Sequence, residues 1–243
     1  MRLYVCGDSH SPIDLHKLST DQWPEQKELH EEDVLAILGD FGGLWLDKSS
    51  REEIYWLKWL TAKNCTVCFV DGNHENFNVI NKLEEVDFCD AKAGLAFRDD
   101  NGSILHLKRG EIYTMEHQTI LTFGGALSVD KHLRMLDRSW WEGELPTHED
   151  VVNLDKNLEL HNNKVDFILT HTAPKSKIIP MGLISSRMAS MFGGKLDDPT
   201  TEILQSVLET VEFKQWHFGH FHKVRDFENR FFCHYNNRPM RLI

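Results

Sequence analysis

The fold is decided by the stretch Thr66-Val67-Cys68-Phe69-Val70-Asp71-Gly72-Asn73-His74-Glu75. Its first five residues form an apolar, β-branched and aromatic run, which predicts a short buried strand. The Asp-Gly pair that follows predicts a turn, and an amide and an imidazole come directly after it. In α/β folds, ligands bind beyond the carboxyl ends of the strands. This stretch therefore predicts both a core strand and polar side chains placed for binding.

The same pattern, a short apolar run followed by Asp or His, recurs four times. The runs are Leu3–Cys6 before Gly7-Asp8, Val34–Leu38 before Gly39-Asp40, 165–169 before Thr170-His171, and 216–218 before Gly219-His220. Apolar residues at spacings of three and four predict helices at 52–62, 75–83, 150–161 and 201–211. Strands that alternate with helices imply crossover connections and a partly parallel sheet.

The middle and the end of the chain have a different pattern. Short β-like runs at 104–107, 111–115 and 119–123 predict an antiparallel meander, and alternation over 224–235 predicts a closing hairpin. The segment 174–199 is a long loop with two Met-containing apolar patches, and loops of this length are usually functional or mobile. We find no repeat and no linker. We therefore predict one α/β domain over residues 1–243, built from two packed sheets with outer helices.

Composition excludes several classes of protein. The chain has 243 residues, 41% hydrophobic and 27% charged, as in ordinary globular domains. A net charge of −11 argues against extended nucleic-acid binding, because phosphate neutralisation needs a basic surface. No window is apolar enough to span a membrane, and the N-terminus lacks the apolar region of a signal peptide, so we expect a cytoplasmic protein without a membrane partner.

The five cysteines indicate core residues rather than disulfides. Their number is odd, and they are spread through apolar segments, as expected of thiols in a reducing compartment. Cys65 and Cys68 have the spacing of half a zinc site, but the second half is missing. We therefore interpret this pair as part of a buried strand.

The side chains at the strand ends favour metal chemistry. They are Asp8, His10, Asp40, Asn73, His74, His171, His220 and His222. Carboxylate oxygen and imidazole nitrogen suit Mn²⁺, Fe and Zn²⁺, and this set is large enough for two ions that share a bridging ligand. Two such ions can clamp a phosphoryl group. Most of these motifs, taken alone, are more typical of a turn or a core histidine, so the prediction depends on their combination.

In order and spacing, the motifs resemble those of the calcineurin-like metallophosphoesterase family over nearly the whole chain. They are Asp8-x-His10, Gly39-Asp40, Gly72-Asn73-His74-Glu75, His171, and Gly219-His220-x-His222. The resemblance implies a sandwich of two mixed β-sheets flanked by helices, with a dinuclear metal site at the strand ends.

The resemblance also implies a role for each residue. Asp8, His10 and His222 would bind the first metal ion; Asn73, His171 and His220 would bind the second; and Asp40 would bridge them. Mn²⁺ is our first expectation, with Fe or Zn²⁺ as alternatives. His74 would be the general acid that protonates the leaving oxygen while metal-bound hydroxide attacks phosphorus in line. Asn73 would also lie near the substrate phosphate, and we expect Glu75 to cap the helix that follows.

One motif departs from the protein Ser/Thr phosphatase branch of the family. That branch reads Gly-Asp-x-x-Asp-Arg-Gly, whereas this chain continues from Asp40 with Phe41-Gly42-Gly43-Leu44-Trp45 and so lacks the phosphate-binding Arg. Lys131, Arg134 and Arg138 are candidates to replace it, and Asp130 is a candidate to orient a ligand or His74. The alternative is a solvated surface loop. Trp140-Trp141 is a candidate lid or stacking platform, or one core and one edge residue.

These features predict a metal-dependent phosphoric ester hydrolase, a phosphomonoesterase by default. Its substrate would be a phosphorylated small molecule, a nucleotide or a phosphoprotein. One alternative is a phosphodiesterase that acts on a small nucleotide or a nucleic-acid end. Another is a scaffold without catalysis, which the complete set of ligand residues argues against.

Overall fold

Two β-sheets form the centre of the computed structural model, which describes residues 1–46, 49–184 and 198–243. The strands are β1 (Leu3–Cys6), β2 (Val34–Leu38), β3 (Thr66–Val70), β4 (Glu84–Phe88), β5 (Ala91–Arg98), β6 (Ser103–Leu107), β7 (Ile112–Met115), β8 (Gln118–Phe123), β9 (Phe167–Thr170), β10 (Gln215–Phe218), β11 (Arg225–Phe227), β12 (Phe231–Cys233) and β13 (Met240–Arg241). The α-helices are α1 (Arg51–Thr61), α2 (Phe77–Ile80), α3 (His148–Leu160), α4 (Lys175–Ile178) and α5 (Pro199–Thr210).

Both sheets are mixed, as expected. The first has the order β13-β1-β2-β3-β6-β5-β4, with β1, β2, β3 and β6 parallel and the outer strands antiparallel. The second has the order β11-β12-β10-β9-β8-β7, with β12, β10, β9 and β8 parallel. The carboxyl ends of neighbouring parallel strands therefore lie side by side in each sheet.

The core strands are buried on both faces, which explains their unbroken apolar sequences. On β1, Leu3 and Val5 pack between the sheets against residues of the second sheet, including Ile120. The alternate residues Tyr4 and Cys6 face the opposite side, in the cluster that includes α1. On the other side of the molecule, α3 and α5 cover the second sheet.

The meander prediction was wrong in one respect. Strand β6 belongs to the first sheet, where it pairs parallel to β3 and antiparallel to β5. Of the three predicted meander strands, only β7 and β8 form an antiparallel pair, and they belong to the second sheet. The hairpin β4–β5 was missed, because β4 is a polar edge strand and its Cys89-Asp90 turn lacks the usual Asn-Gly signal, although both residues have the positive φ that such turns require.

Other elements follow the sequence more closely. The closing hairpin is confirmed as β11–β12. The helix expected at 75–83 is shorter, since Asn76 caps α2 at Phe77 and the helix ends at Ile80. In the loop predicted at 174–199, α4 forms and α5 begins at Pro199, while residues 185–197 lie outside the described residues. Within the described chain, no helix has the length and apolar character needed to cross a membrane.

Candidate metal centre

The candidate ligands lie at the carboxyl ends of strands from both sheets. Asp8 follows β1, Asp40 follows β2 and Asn73 follows β3, whereas His171 and His220 follow β9 and β10. Since both sheets direct these ends to the same edge of the sandwich, residues far apart in sequence come within contact distance. The fold, rather than any single loop, assembles the site.

One group of four side chains could surround a metal ion. Asp8, His10, Asp40 and His222 each offer one ligand atom, and these atoms all lie within 4.8 Å of one another. His10 Nε2 is 3.3 Å from Asp40 Oδ2, and His222 Nε2 is 3.3 Å from Asp8 Oδ2. Ligands on opposite sides of one ion are separated by about 4.2 Å, twice a bond of about 2.1 Å. The group therefore fits one divalent ion with small adjustments.

A second group lies on the other side of Asp40. His171 Nε2 is 3.4 Å from Asp40 Oδ1, 3.1 Å from Asn73 Oδ1 and 3.2 Å from His220 Nδ1. All of these atoms are acceptors when each neutral imidazole carries its proton on its other ring nitrogen. A cation among them would resolve their mutual repulsion. Asp40 thus directs one carboxylate oxygen toward each group.

Hydrogen bonds outside these groups orient the ligand atoms inward. His171 Nδ1 donates to the Leu38 carbonyl (2.9 Å), so the neutral ring keeps a lone pair on Nε2. Asn73 Nδ2 donates to Ser128 Oγ (3.0 Å), which leaves Oδ1 toward His171. The Ser128 hydroxyl in turn donates to buried Glu144 (2.5 Å).

His10 has an equivalent partner. Its Nδ1 lies 2.8 Å from Asp14 Oδ2, while its Nε2 faces Asp40. A carboxylate behind an imidazole is a common way to fix the orientation of a metal-binding histidine. Sequence reasoning missed Asp14, although its position four residues after His10 was an available signal.

The backbone at the site adopts an unusual conformation. His10, Asp40, His220 and His222 have φ of 37°, 43°, 68° and 49°. Non-glycine residues seldom adopt positive φ, and where the surrounding structure enforces it the residue often belongs to a functional site. A β-carbon on Gly219 would lie 2.0 Å from Asp8 Oδ1, so only glycine allows this close approach.

The two buried carboxylates, Asp8 and Asp40, dominate the electrostatics of the site. Burial alone would raise the pKa of Asp40, but His171 and His10 hold it well below its usual value. Burial would likewise lower the pKa of both imidazoles, yet Asp40 raises it to about 9 for His10 and about 10 for His171. The site therefore attracts positive charge, whether as a proton or as a metal ion.

Lys17 holds two backbone segments next to this centre. Its buried ammonium donates to the main-chain carbonyl of Asp8 and to that of Tyr235 (2.9 Å). The Tyr235 ring stacks on His222 with centroids 4.4 Å apart. Lys17 thus links the Asp8 turn to the segment that packs against His222.

His74 lies beside the metal-binding groups and next to Arg134. Its backbone N–H donates to Asp40 Oδ1 (2.8 Å), which ties its position to the candidate bridging carboxylate. Arg134 Nη1 and Nη2 lie 2.9 Å and 3.0 Å from the two ring nitrogens of His74. Burial lowers the pKa of His74, and Arg134 lowers it further against the opposing charge of Asp40.

Asp130 holds Arg134 rather than His74. Its carboxylate oxygens accept from Arg134 Nε (2.8 Å) and Nη2 (2.9 Å), a two-pronged ion pair that fixes the guanidinium plane. The other two candidate phosphate ligands, Lys131 and Arg138, are exposed, and no hydrogen bond or ion pair joins their side chains to the described candidate ligands. Arg134 is therefore the one member of this set that the structure brings to the site.

Of the two adjacent tryptophans, Trp141 is a core residue and Trp140 is an edge residue. Trp141 is buried and its ring meets the edge of Trp45 at 5.1 Å, whereas Trp140 is half-buried. The ammonium of Lys131 lies 5.8 Å from the Trp140 ring.

The expectation for Glu75 was wrong. Its carboxylate does not cap α2, whose N-cap is Asn76. Instead it accepts the amides of Phe41 (2.6 Å) and Gly42 (3.3 Å), which follow Asp40. Burial, with the charge of Asp40, raises the pKa of Glu75 to about 8. Glu75 therefore shapes the loop that carries the candidate bridging residue.

A further buried network lies behind Asn73 and was missed. Asp71 accepts from Arg109 Nε (2.9 Å) and Nη2 (2.6 Å) and contacts His106 Nε2 (2.9 Å). Arg109 also donates to the carbonyls of Gly143 and Leu145. This arginine therefore holds the loop that bears Ser128 and Arg134 against the end of β3.

A family model described as calcineurin-like phosphoesterase matches residues 1–224. No curated protein matches the chain. The family match covers every candidate ligand and strands β1 to β10, whose carboxyl ends assemble the site. On this basis the chain belongs to the calcineurin-like phosphoesterases, phosphoric ester hydrolases that bind a dinuclear centre of divalent metal ions.

Proposed function

We propose that the protein is a metal-dependent phosphomonoesterase with two metal sites that share Asp40. The observation that carries this proposal is the position of the Asp40 carboxylate, whose Oδ2 faces His10 while Oδ1 faces His171. The first site would consist of Asp8, His10, Asp40 and His222, and the second of Asp40, Asn73, His171 and His220.

The donor set fits the ions that we propose. Carboxylate, imidazole and one amide oxygen suit Mn²⁺ first, with Fe and Zn²⁺ as alternatives. When bound, the two ions supply neutralisation of the phosphoryl charge and a water-derived nucleophile at neutral pH.

His74 would donate the proton that the leaving oxygen needs. Its main chain is held by Asp40, so its ring keeps a fixed position relative to the phosphoryl group bound there. The proton donor would be the imidazolium form of His74, which becomes a neutral imidazole on transfer, and the Arg134 guanidinium could then donate to the ring nitrogen that has lost its proton. This arrangement supports the role of general acid that we propose for His74.

Arg134 supplies the cation that the Asp40 motif lacks. Its guanidinium is desolvated and held by Asp130 beside His74. Because Asp130 already takes Nε and one N–H of Nη2, Arg134 would act on the phosphoryl group mainly through its positive charge, and a monoester carries more negative charge than a diester. This favours monoesters, whether the substrate is a small molecule, a nucleotide or a phosphoprotein.

We propose that residues 1–243 form a single domain in the cytoplasm. The last strand, β13, pairs with the first, β1, which supports one folding unit from end to end. All five cysteines are free thiols and four are buried, as expected in a reducing compartment.

The proposal is tested with a chromogenic phosphate monoester and its matching diester, each with Mn²⁺ and with EDTA. We expect EDTA to abolish turnover, Mn²⁺ to restore it, and the monoester to be the better substrate. Dominant diester turnover would replace the proposal by a phosphodiesterase. Metal-loaded protein that turns over neither compound would contradict the proposed hydrolysis.

The role of His74 is tested by comparing leaving groups. His74→Asn should reduce turnover of an alkyl phosphate by about 10²-fold or more, the contribution typical of general acids. An aryl phosphate with an acidic phenol should be affected less, because its leaving oxygen needs no proton. An equal loss on both substrates would remove the general-acid role.

A further inference from the structure

An apolar cleft of about 380 Å³ opens beside the candidate metal centre. His10 and His74 form its inner end, and Trp45, Trp56, Ile13 and Leu46 are among the residues that line the rest. Its volume is at the lower end of the range for small-molecule sites, about 300–1,000 Å³. Because His10 is a candidate metal ligand and His74 the proposed general acid, the cleft adjoins the place where we propose that the phosphoryl group binds.

Packing among the described residues does not account for two of these apolar side chains, Ile13 and Leu46. Ile13 is 76% exposed and Leu46 is 47% exposed, although both are aliphatic and lie next to a charged centre. The indole of Trp45 is fixed edge-on against Trp141 at 5.1 Å, and that of Trp56 against Trp59 at 5.7 Å. Each of the two indole walls is thus supported by a second indole.

The carboxylate on the cleft wall is already satisfied. Glu53 accepts the backbone amides of Trp45 (2.8 Å), Leu46 (3.0 Å) and Ser50 (2.7 Å). It therefore holds the wall in shape and has little remaining capacity to bind a cation. Glu52 is exposed, and its negative charge disfavours an anionic group on the part of the ligand that lies in the cleft. These features suit an uncharged ring.

We propose, on the basis of the phosphoesterase function proposed above, that this cleft binds a planar ring on the leaving group of the substrate. His74, the group that would protonate the leaving oxygen, lines the cleft, so the leaving alcohol must lie on this side of the phosphorus. Rings stack favourably on indoles, and the exposed aliphatic residues complete the contact. The substrate class is a phosphate monoester of a ring-bearing alcohol.

The test compares kcat/KM for benzyl phosphate and ethyl phosphate, whose alcohols have similar acidity. The wild-type enzyme should prefer the benzyl ester by on the order of tenfold. The double variant Ile13→Ala with Leu46→Ala should lose most of this preference. Val152→Ala with Leu160→Ala is the matched control, since these exposed aliphatic residues lie on α3, outside the cleft, and it should keep the preference.

A second pair of substrates identifies the source of the ring. A nucleoside 5′-monophosphate and ribose 5-phosphate share a leaving oxygen and differ by the base. A preference for the nucleotide indicates a nucleobase in the cleft. A preference confined to the benzyl ester indicates a smaller aryl group.

The outcomes separate this inference from the proposed function. Equal kcat/KM for the members of each pair in the wild-type enzyme, or a preference unchanged in the cleft variant, would overturn the ring subsite and leave the phosphoesterase intact. If wild-type protein hydrolyses no ester, saturation-transfer NMR with benzylphosphonate tests the cleft alone. Ring signals that appear with wild type and weaken in the cleft variant support it, and their absence with wild type overturns it.

Discussion

At the ends of two neighbouring strands, buried aspartates have partners of different kinds. Asp40 follows β2 and Asp71 follows β3, and both side chains are buried. Asp71 is paired with the guanidinium of Arg109 through two nitrogens. Among the residues that the structure describes, the polar groups that meet the Asp40 side chain are imidazoles and one backbone amide. Asp71 therefore has a permanently charged partner. Asp40 has partners whose protons a metal ion can replace.

The partner therefore decides what a buried carboxylate does. A guanidinium is always charged and has no lone pair to offer, so the Asp71 network is complete and its role is structural. An imidazole is a weak base with a lone pair, so the Asp40 groups can exchange protons for a metal ion. We therefore expect substitution of Asp40 to act mainly on metal binding and activity, and substitution of Arg109 to act mainly on stability.

The largest expected effect is the loss of activity in Asp40→Asn. The substitution removes the shared ligand, so we expect kcat/KM to fall by at least about 10³-fold, as when a group that stabilises transition-state charge is lost. At neutral pH the metal-free variant should be less stable than metal-free wild type, because His10 and His171 lose the carboxylate charge that raises their pKa. Urea unfolding beside the phosphatase assay checks both. Exposed Asp155→Asn is the control, and full activity in Asp40→Asn would contradict the bridging role.

The next effect concerns stability. Arg109→Leu leaves Asp71 buried without its cation and should lower the free energy of unfolding by about 3–5 kcal/mol. Adding Asp71→Leu should recover part of that loss, because no charge then remains buried. Urea denaturation of the single and double variants gives both values. A single variant as stable as wild type would show that Asp71 does not depend on this guanidinium.

A smaller effect is expected where the two regions meet. Ser128→Ala removes the acceptor that orients the Asn73 amide, and with it the link to Glu144. Losing a group that orients a ligand typically costs about 10–100-fold in metal affinity or activity. We expect that loss to be greater at low Mn²⁺ and to be partly restored by excess metal. If Ser128→Ala were as active as wild type at every Mn²⁺ concentration, Ser128 would not be needed to orient Asn73.

The smallest effect concerns a third paired carboxylate, Asp33, far from the site. Burial would raise the pKa of Asp33, but hydrogen bonds from Arg2 and the His30 amide lower it to about 2. Its contribution of up to about 2 kcal/mol is present above pH 3.8 and is lost as pH falls toward 2. Asp33→Asn should thus destabilise the protein at pH 7 and progressively less below pH 4. A pH-independent difference would contradict this.

The sequence predicted the parts of the molecule that depend on local patterns. The bounds of β1, β2 and β3 agree with their apolar runs, and the polar residues after them converge, because parallel strands bring their carboxyl ends together. Their roles as ligands are our proposal. The pattern could not distinguish Asp71 from Asp40, since the arginine that pairs with Asp71 lies 38 residues away.

Other features depended on tertiary contacts with no local signal. Nothing near Asn73 in sequence indicates that Ser128 and Glu144 orient its amide. The polar edge strand β4 has no apolar alternation to reveal it. Glu75 has the residue type of a helix cap, yet its carboxylate accepts hydrogen bonds from the two amides after Asp40, which are 33 to 34 residues away.

The most direct test of the central claim is to titrate Mn²⁺ into metal-free wild type and metal-free Asp40→Asn by isothermal calorimetry. We predict two ions per wild-type chain, and a loss of this two-site binding in Asp40→Asn while Arg109→Leu, if folded, retains it. Wild-type protein that binds no Mn²⁺, or an Asp40→Asn variant that binds two ions with wild-type affinity, would contradict the account.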